Sequence, residues 1–315
     1  MVRRFGSSED EAMSALRDAI VERVGTVTEP VTPLGEPVTM QASEADRLII
    51  SAREGMRRFA AQVYSSHRFV APGSDAAGDA ERSGSDIVPV SIVDGFVAAI
   101  VDHLQAWVDK TGGHDGDPQL WLSLYSDYTL FRPILESLAA AIWILGPDDS
   151  RERIKNATKL LATEHEQANR YIQRINRVGH PDPFAEQVNS GLDRIIGEVC
   201  ERMGFNPAQI RRAVDPSSLP DKASRFVPGA GSKFYRLWAL CSAHAHAQLF
   251  TVMRAGARTS GTGPYGGWTY VEADSESFAE LVRFTGYTLS VLAKLLNRRG
   301  HMLNSETGPR PGADS

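Results

Sequence analysis

The sequence predicts an all-α protein, a multi-helix bundle that carries an N-terminal helical extension. Apolar residues recur at intervals of three and four over most of the chain, which is the spacing of one helix face. Many of these stretches begin at a Ser, Asp or Asn that can cap a helix, and many end at a glycine. Strand-like composition is confined to a short β element near residues 268–271.

The N-terminal helical region is predicted to span residues 1–72. Ser8 with Glu11 forms a capping box before a helical pattern over residues 12–24, and Ser43 with Asp46 can cap the next helix. The following stretch, residues 73–90, begins with Gly, Ala, Ser, Asp and Glu and no large apolar residue up to Asp86. Such a composition cannot repay the entropy of ordering, so we expect a mobile linker there.

The helical core domain is predicted to span residues 91–300. Its predicted helices cover residues 91–112, 120–145, 150–177, 183–204, 207–214, 234–255 and 274–300. Pro133 is expected to kink the second of these helices or to open a new segment within it. Asp148 is a candidate cap for the third, residues 216–231 are expected to form a loop, and residues 301–315 a disordered tail.

Composition and charge limit the classes of function. The chain has 315 residues, a formal net charge of −5 and two cysteines, which fits a soluble protein of the reducing cytoplasm. The most apolar run, Ile134–Leu145, is shorter than the ~20 residues that cross a bilayer, so no membrane partner is expected. The overall charge gives no general attraction to nucleic acid, although a local basic patch can still bind RNA.

The segment Lys233–His246 is an apolar helix that carries several polar groups. Ser242 and His246 are four residues apart and therefore share a helix face. A buried histidine needs a partner for each ring nitrogen, whereas an accessible one is a common general acid or base. Cys241 and His244 add metal-ligand atoms, but the three ligands do not all project alike, so no metal or other cofactor is expected.

A second polar group stands beside the most apolar run. Arg132 and Glu136 are four residues apart on the same predicted helix, so they should pair or face one partner. The pair either fixes the helix as a buried ion pair or leaves Arg132 to clamp a phosphate or carboxylate. The sequence leaves both interpretations open.

Several of these motifs together resemble a mainly actinobacterial, all-helical family that is HEPN-like in outline. They are Arg132-x-x-x-Glu136, Trp143-Ile144-Leu145 with the segment 148–154, Phe234-Tyr235-Arg236, and Ser242-x-x-x-His246. The resemblance covers residues 91–255 and implies a HEPN-like helical core. Some HEPN domains are metal-independent ribonucleases of defence and toxin systems. The chain departs from the catalytic pattern, because Arg236 is widely spaced from His244 and His246, and Ala247 stands where relatives often have Gly.

Two functions are therefore expected from the sequence and the resemblance. The first is a non-catalytic or regulatory protein of a defence or stress system, with RNA, another protein or a second copy of itself as partner. The alternative is a metal-independent ribonuclease or phosphoesterase. There, His246 would act as acid or base, Arg132 or Arg236 would stabilise the phosphorane, and Glu136 would orient the imidazole.

Overall fold

Helices dominate the structure, a computed structural model that describes residues 43–64, 68–85, 87–111, 122–123, 125–248, 256–263 and 266–303. The helices are α1 (Glu44–Tyr64), α2 (Asp75–Ser83), α3 (Ile92–Thr111), α4 (Ser126–Leu145), α5 (Ser150–Arg177), α6 (Pro183–Met203), α7 (Pro207–Ile210), α8 (Leu219–Ser224), α9 (Lys233–Ala245) and α10 (Ser275–Arg299). The strands are β1 (Arg68–Val70), β2 (Gly256–Gly263), β3 (Gly266–Ala273) and β4 (His301–Leu303). The predicted all-α bundle is confirmed, whereas the predicted helix over residues 12–24 lies outside the described residues.

The apolar helix α4 lies at the centre of the bundle and packs against α3, α8, α9 and α10. All residues of Ile134–Leu145 except Glu136 are buried, as expected of a helix that is apolar on every side. Pro133 lies inside α4, and the helix runs on through it. The core of the fold therefore forms around one helix, whose N-terminal half carries Arg132 and Glu136.

Helix ends follow the sequence closely at several positions. The capping box of α1 is present, because the Ser43 hydroxyl accepts the Asp46 N–H at 3.1 Å and Asp46 accepts the Ser43 N–H at 3.1 Å. The cap of α5 is Asp149, which accepts the Arg151 N–H at 3.0 Å, and the assignment of this cap to Asp148 was wrong. Asp148 instead accepts a hydrogen bond from Arg299.

The expectation of a mobile linker over residues 73–90 was also wrong. Helix α2 occupies half of this stretch, a π-helical turn over Ile87–Ser91 follows it, and the described residues from Ser43 onwards belong to one compact unit. Asp79 of α2 is buried and accepts two hydrogen bonds from Arg153, at 2.6 and 2.9 Å. The segment is thus ordered by ion pairing. The prediction of a mobile linker considered only the absence of large apolar residues and therefore missed this source of stability.

A second arginine joins this buried ion pair to the end of the central helix. Arg299, near the end of α10, donates to the carbonyls of Leu145 at 3.1 Å and Pro147 at 2.8 Å. It also donates to Asp75 at 2.6 Å. Both arginines thus bind at the C-terminus of α4, where positive charge complements the helix dipole.

The loop expected over residues 216–231 contains a 3₁₀ turn, Pro216–Ser218, followed by α8. Leu219, Ala223 and Val227 are buried and pack in the core, which explains why this stretch is helical. Phe226 lies against Gly146 so closely that a Cβ at that position would overlap the ring. Glycine is therefore required where α4 ends.

The strands form two antiparallel pairs. β1 pairs with β4, so residues 301–303 of the expected disordered tail are ordered by main-chain hydrogen bonds to residues 68–70. β2 pairs with β3, which includes residues 268–271, and the two strands form a hairpin. The remainder of the tail lies outside the described residues.

Two helices of the described chain, Pro89–Thr111 and Ser126–Leu145, are long and apolar enough by length and composition to cross a membrane. The second is the central helix of the bundle, and 72% of its most apolar window is buried inside the protein. Core helices commonly have such a composition. The two helices are therefore weak evidence both for and against a location in a membrane.

Removing the charge of Asp79 should destabilise the fold strongly. Asp79→Asn leaves the Arg153 guanidinium buried without its counter-ion, and breaking such a pair costs about 3–5 kcal/mol in the free energy of unfolding. Urea unfolding followed by circular dichroism measures the change. The matched control is Glu166→Gln, which breaks the exposed pair with Arg170 and should cost under about 1 kcal/mol. Equal losses in the free energy of unfolding in the two variants would contradict the role of the Arg153–Asp79 pair in stabilising the fold.

The same network should make stability sensitive to acid. The hydrogen bond from Arg299 lowers the pKa of Asp75, and Arg299 likewise lowers the pKa of Asp148. A carboxyl whose pKa is lower in the folded state stabilises the fold above its unfolded pKa of about 3.9, and this stability is lost as the pH falls below it. Urea midpoints measured between pH 7 and pH 3 should therefore fall below about pH 4. They should fall less steeply in Asp75→Asn, and an unchanged profile in that variant would exclude Asp75 as a contributor.

Candidate functional site

Arg132, Glu136, Trp238 and His246 meet where α4 crosses α9, and we name this group the Arg132 cluster. Arg132 donates from Nε to Glu136 Oε1 at 3.0 Å, and its Nη1 lies 3.0 Å from His246 Nε2. Trp238 donates from its indole N–H to the same Glu136 oxygen at 3.0 Å. The two residues predicted on α4 are thereby joined to the histidine predicted on α9.

Three of the four side chains in the Arg132 cluster reach solvent, and Trp238 is the buried one. The side chains of Arg132 and Glu136 are 28% and 32% exposed, and His246 is exposed. A network that served only to join helices would be expected in the core, as the Arg153–Asp79 pair is. The exposure therefore favours the second of the two interpretations that the sequence left open, a guanidinium available to a ligand.

His246 is placed by the way in which α9 ends. The helix was expected to continue to residue 255, but it ends at Ala245, with His246 as its C-cap. The N–H of Gln248 bonds the carbonyl of Ala243 at 2.9 Å, and the N–H of Ala247 bonds that of His244 at 3.0 Å. These two bonds form a Schellman motif, in which the residue after the cap takes the left-handed conformation.

Ala247 occupies that left-handed position, with φ of +49°, and it is the only described non-glycine residue with positive φ. The conformation costs an L-residue about 1–2 kcal/mol, which is why glycine is usual there. The strain thus lies directly beside the exposed histidine. Backbone strain of this kind persists only where the surrounding structure enforces it.

The contact between Arg132 and His246 defines the role of one ring nitrogen. A guanidinium has donors and no acceptor, so His246 Nε2 accepts in this contact and carries no proton. In the neutral ring the proton then resides on Nδ1. Glu136 meanwhile contacts Arg132 and Trp238, so its observed role is to orient the guanidinium and not the imidazole as the sequence suggested.

The other two candidate residues, Ser242 and Arg236, are not members of the Arg132 cluster. Ser242 is half-buried, and its main-chain carbonyl accepts the His246 N–H at 3.1 Å as a helical hydrogen bond. Arg236 donates to Glu280 of α10 at 2.7 Å, so its observed partner is outside the Arg132 cluster. The structure thus pairs Arg132, and not Arg236, with His246.

Sequence reasoning missed Trp238, the aromatic residue of this network. Trp238 supplies the third contact of the network, and Tyr235, which is 42% exposed, lies against it with ring centroids 5.7 Å apart. A largely buried tryptophan requires an acceptor for its N–H, and Glu136 is such an acceptor on the neighbouring helix. The sequence could therefore have indicated that Trp238 contacts a polar residue of a neighbouring helix.

Cys241 and His244 point into the core and away from solvent. His244 is buried and stacks on Tyr128 with ring centroids 3.9 Å apart. Burial raises the pKa of both Cys241 and Tyr128, which keeps the thiol and the phenol neutral. Among the residues that the structure describes, no group of three or more His, Cys, Asp or Glu side chains could hold a metal ion.

A groove of about 470 Å³ runs between α1 and α10. It is lined mainly by apolar side chains, among them Leu48, Met56, Phe59 and Leu289, with Arg283 as its charged member. None of its lining residues belongs to the Arg132 cluster. The groove therefore provides no volume for a ligand of that cluster.

Replacing the strained residue beside His246 should stabilise the protein. Ala247→Gly relieves the left-handed strain, and the gain outweighs the extra entropy of glycine in the unfolded chain, for a net of about 0.5–1 kcal/mol. The control, Ala245→Gly in the last helical position, should destabilise by up to about 1 kcal/mol. Thermal and urea unfolding measure both. A loss of stability in both variants would show that the left-handed conformation is not maintained in solution.

Comparison with known proteins gives no relative on which to base a function. No family model, no curated protein and no solved structure matches the chain.

Proposed function

We propose that the chain is a HEPN-like helical protein of the cytoplasm that binds a phosphate-bearing ligand, RNA, at the Arg132 cluster. Its role in this proposal is non-catalytic or regulatory, within a defence or stress system. The observation that carries the proposal is the solvent-open contact between Arg132 and His246, at 3.0 Å.

The guanidinium of Arg132 is oriented before any ligand arrives. Glu136 holds its Nε side at 3.0 Å, and Trp238 in turn fixes Glu136. A guanidinium carries five N–H donors, and only two of them have partners in the part of the chain that the structure describes. The remaining donors suit the planar, two-pronged recognition of a phosphate.

One exposed aromatic side chain, Tyr235, is connected to this cation through Trp238 and Glu136. Tyr235 packs on Trp238, which contacts Glu136 directly. Single-stranded RNA is bound by phosphate contacts to Arg together with stacking of unpaired bases on aromatic rings. The site combines both elements, and this combination favours RNA over a small inorganic anion.

A metal-independent ribonuclease or phosphoesterase is the second candidate, because His246 is an exposed potential base within reach of a cation. In that reaction the imidazole would take the proton of a 2′-hydroxyl, and the 2′-oxygen would attack phosphorus. The departing 5′-oxygen would take a proton from water while the imidazolium releases its proton to water. This would leave a 2′,3′-cyclic phosphate, with Arg132 stabilising the phosphorane charge. Because Nε2 is the unprotonated ring nitrogen, it would first have to leave Arg132 in order to act as the base.

Fluorescence anisotropy with a labelled single-stranded RNA of mixed sequence tests the binding proposal. Arg132→Ala should weaken binding about tenfold or more, since it removes charge-assisted hydrogen bonds, and should reduce the slope of log affinity against log salt by about 1. The control is Arg236→Ala, which removes an equal charge from the neighbouring helix and should change the affinity less than about twofold. Equal losses in the two variants, or no binding by wild type, would contradict a specific site.

Incubating the same RNA with protein and a chelator separates the two candidates. RNA that stays intact while bound supports the non-catalytic role. Products with 2′,3′-cyclic phosphate ends that disappear in His246→Ala would replace that role with the ribonuclease.

A further inference from the structure

The groove between α1 and α10 has the composition of a site for an apolar ligand. Met56, Val282 and Leu289 are buried and form its floor, and the half-buried Leu48 and Phe59 line its sides. No carboxylate is among its lining residues in the described part of the chain. Ligand sites in proteins commonly combine such an apolar lining with a few polar groups that fix the orientation of the ligand.

The cationic residue of the groove lies at one end of its α10 side. On this helix the lining residues begin with Val282 and Arg283 and end with Ala293. From Arg283 to Ala293 the helix rises roughly 15 Å, at about 1.5 Å per residue. The groove is therefore elongated and apolar, with a positive charge at one end.

The guanidinium of Arg283 is available to an anion. Arg283 is exposed, and within the residues that the structure describes it has neither an ion pair nor a hydrogen bond. Glu280, one turn earlier on α10, pairs instead with Lys233 at 3.0 Å and with Arg236 at 2.7 Å. A guanidinium binds a carboxylate through two parallel hydrogen bonds. The charge at the end of the groove is therefore complementary to a carboxylate that a ligand supplies.

Two glycines inside the helices contribute to the volume of the groove. Gly55 of α1 and Gly286 of α10 both line it. A Cβ at Gly55 would meet no described atom within 4 Å, and one at Gly286 would meet only the Met56 methyl, at 3.9 Å. Packing within the described chain therefore does not require glycine at these positions, in contrast to Gly146. A larger side chain at either position would reduce the volume of the groove.

We propose that the groove binds the anion of a straight-chain fatty acid, with the carboxylate on Arg283 and the hydrocarbon chain along the apolar floor. The volume of about 470 Å³ lies within the ~300–1,000 Å³ that is typical of small-molecule sites. At ~30 Å³ for a group of the size of water, this volume accommodates roughly fifteen such groups. A methylene group is close to this size, so one acyl chain fits and a lipid with two chains does not.

The cross-section of the groove distinguishes an acyl chain from a peptide. Over a length of ~15 Å the volume corresponds to a cross-section of roughly 30 Å², whereas a helix with a diameter of ~10 Å needs about 80 Å². An extended peptide would place backbone N–H and carbonyl groups on the apolar floor without hydrogen-bond partners, which is unfavourable. A hydrocarbon chain has no such groups, so it is the occupant that the shape and the lining favour.

Isothermal titration calorimetry of the full chain with fatty acids from octanoate to tetradecanoate, each below its critical micelle concentration, tests the proposal. At neutral pH the affinity should rise about two- to fourfold for each added methylene, because complete burial of one corresponds to about fourfold and the groove is open on one side. The rise should stop once the chain is longer than the groove. Dodecanol should bind about five- to tenfold more weakly than dodecanoate, since it lacks the charge that pairs with Arg283.

Filling the groove should abolish most of this binding. Gly286→Leu should weaken dodecanoate binding at least about tenfold, and Gly55→Leu, at an exposed position of the same groove, repeats the test. The matched control is Gly197→Leu on α6, where a Cβ likewise meets no described atom within 4 Å and which does not line the groove. This control should change the affinity less than about twofold. Circular dichroism verifies that each variant is folded.

Removing the charge separates the role of Arg283 from that of the apolar floor. Arg283→Gln should weaken dodecanoate binding about five- to tenfold and leave dodecanol binding unchanged. The control, Arg174→Gln, removes an equal charge from an exposed position of α5 and should change neither affinity more than about twofold. Arg283 is exposed, so the fold should be retained.

Three results would overturn the proposal. The first is a wild type that binds none of the fatty acids. The second is binding that neither Gly55→Leu nor Gly286→Leu weakens, and the third is an equal affinity for dodecanoate and dodecanol. Because the groove and the Arg132 cluster share no residue, RNA affinity is a separate readout.

Discussion

The buried ion pair between Arg153 and Asp79 is the constraint on which much of the fold depends. Ser150, the first residue of α5, donates its hydroxyl to the same carboxylate, and Arg153 also donates to the Pro147 and Asp148 carbonyls. Together with Arg299 it connects α2, α5 and α10 to the C-terminus of α4. A charge buried to this extent must be paired, so these elements are obliged to assemble together.

This constraint reaches the candidate site through the central helix. The arginines hold the C-terminal carbonyls of α4, whereas Arg132 and Glu136 lie in its N-terminal half, and the buried apolar stretch between them leaves little freedom. The opposite wall of the site is α9, whose last turn is closed by a Schellman motif around Ala247. The Arg132–His246 contact thus joins the buried central helix to a strained helix end.

The chain uses polar groups in three distinct environments. At Arg153 they are buried and paired, and they stabilise the fold. At Arg132 they are half-exposed and partly engaged, as is typical of a binding site. In the seam between α5 and α6 they form side-chain hydrogen bonds between the two helices, Asn189 with Asn169 and Asn176 with Glu186. The same residue types therefore have different consequences, and their surroundings decide which one applies.

The sequence by itself determined the helical class, most helix boundaries and the polar residues of the site. Helical periodicity and caps such as Ser43, Asp182 and Asp274 are local properties, and the structure places helices beside each of them. Arg132, Glu136 and His246 were also identifiable from the sequence. Charged or titratable groups within apolar helices are costly to bury unless they have a partner or contact solvent.

Only the tertiary structure decided what those groups contact. The order of α2 depends on Arg153, more than seventy residues away, and the sequence offers no local signal for such a pairing. The choice of Arg132 over Arg236 as partner of His246 depends on how α4 crosses α9 and on where α9 ends. The outward direction of Tyr171 and Phe184 likewise emerges only when two helices are paired. Sequence pattern fixes which residues share a helix face, but the packing of distant elements fixes what that face meets.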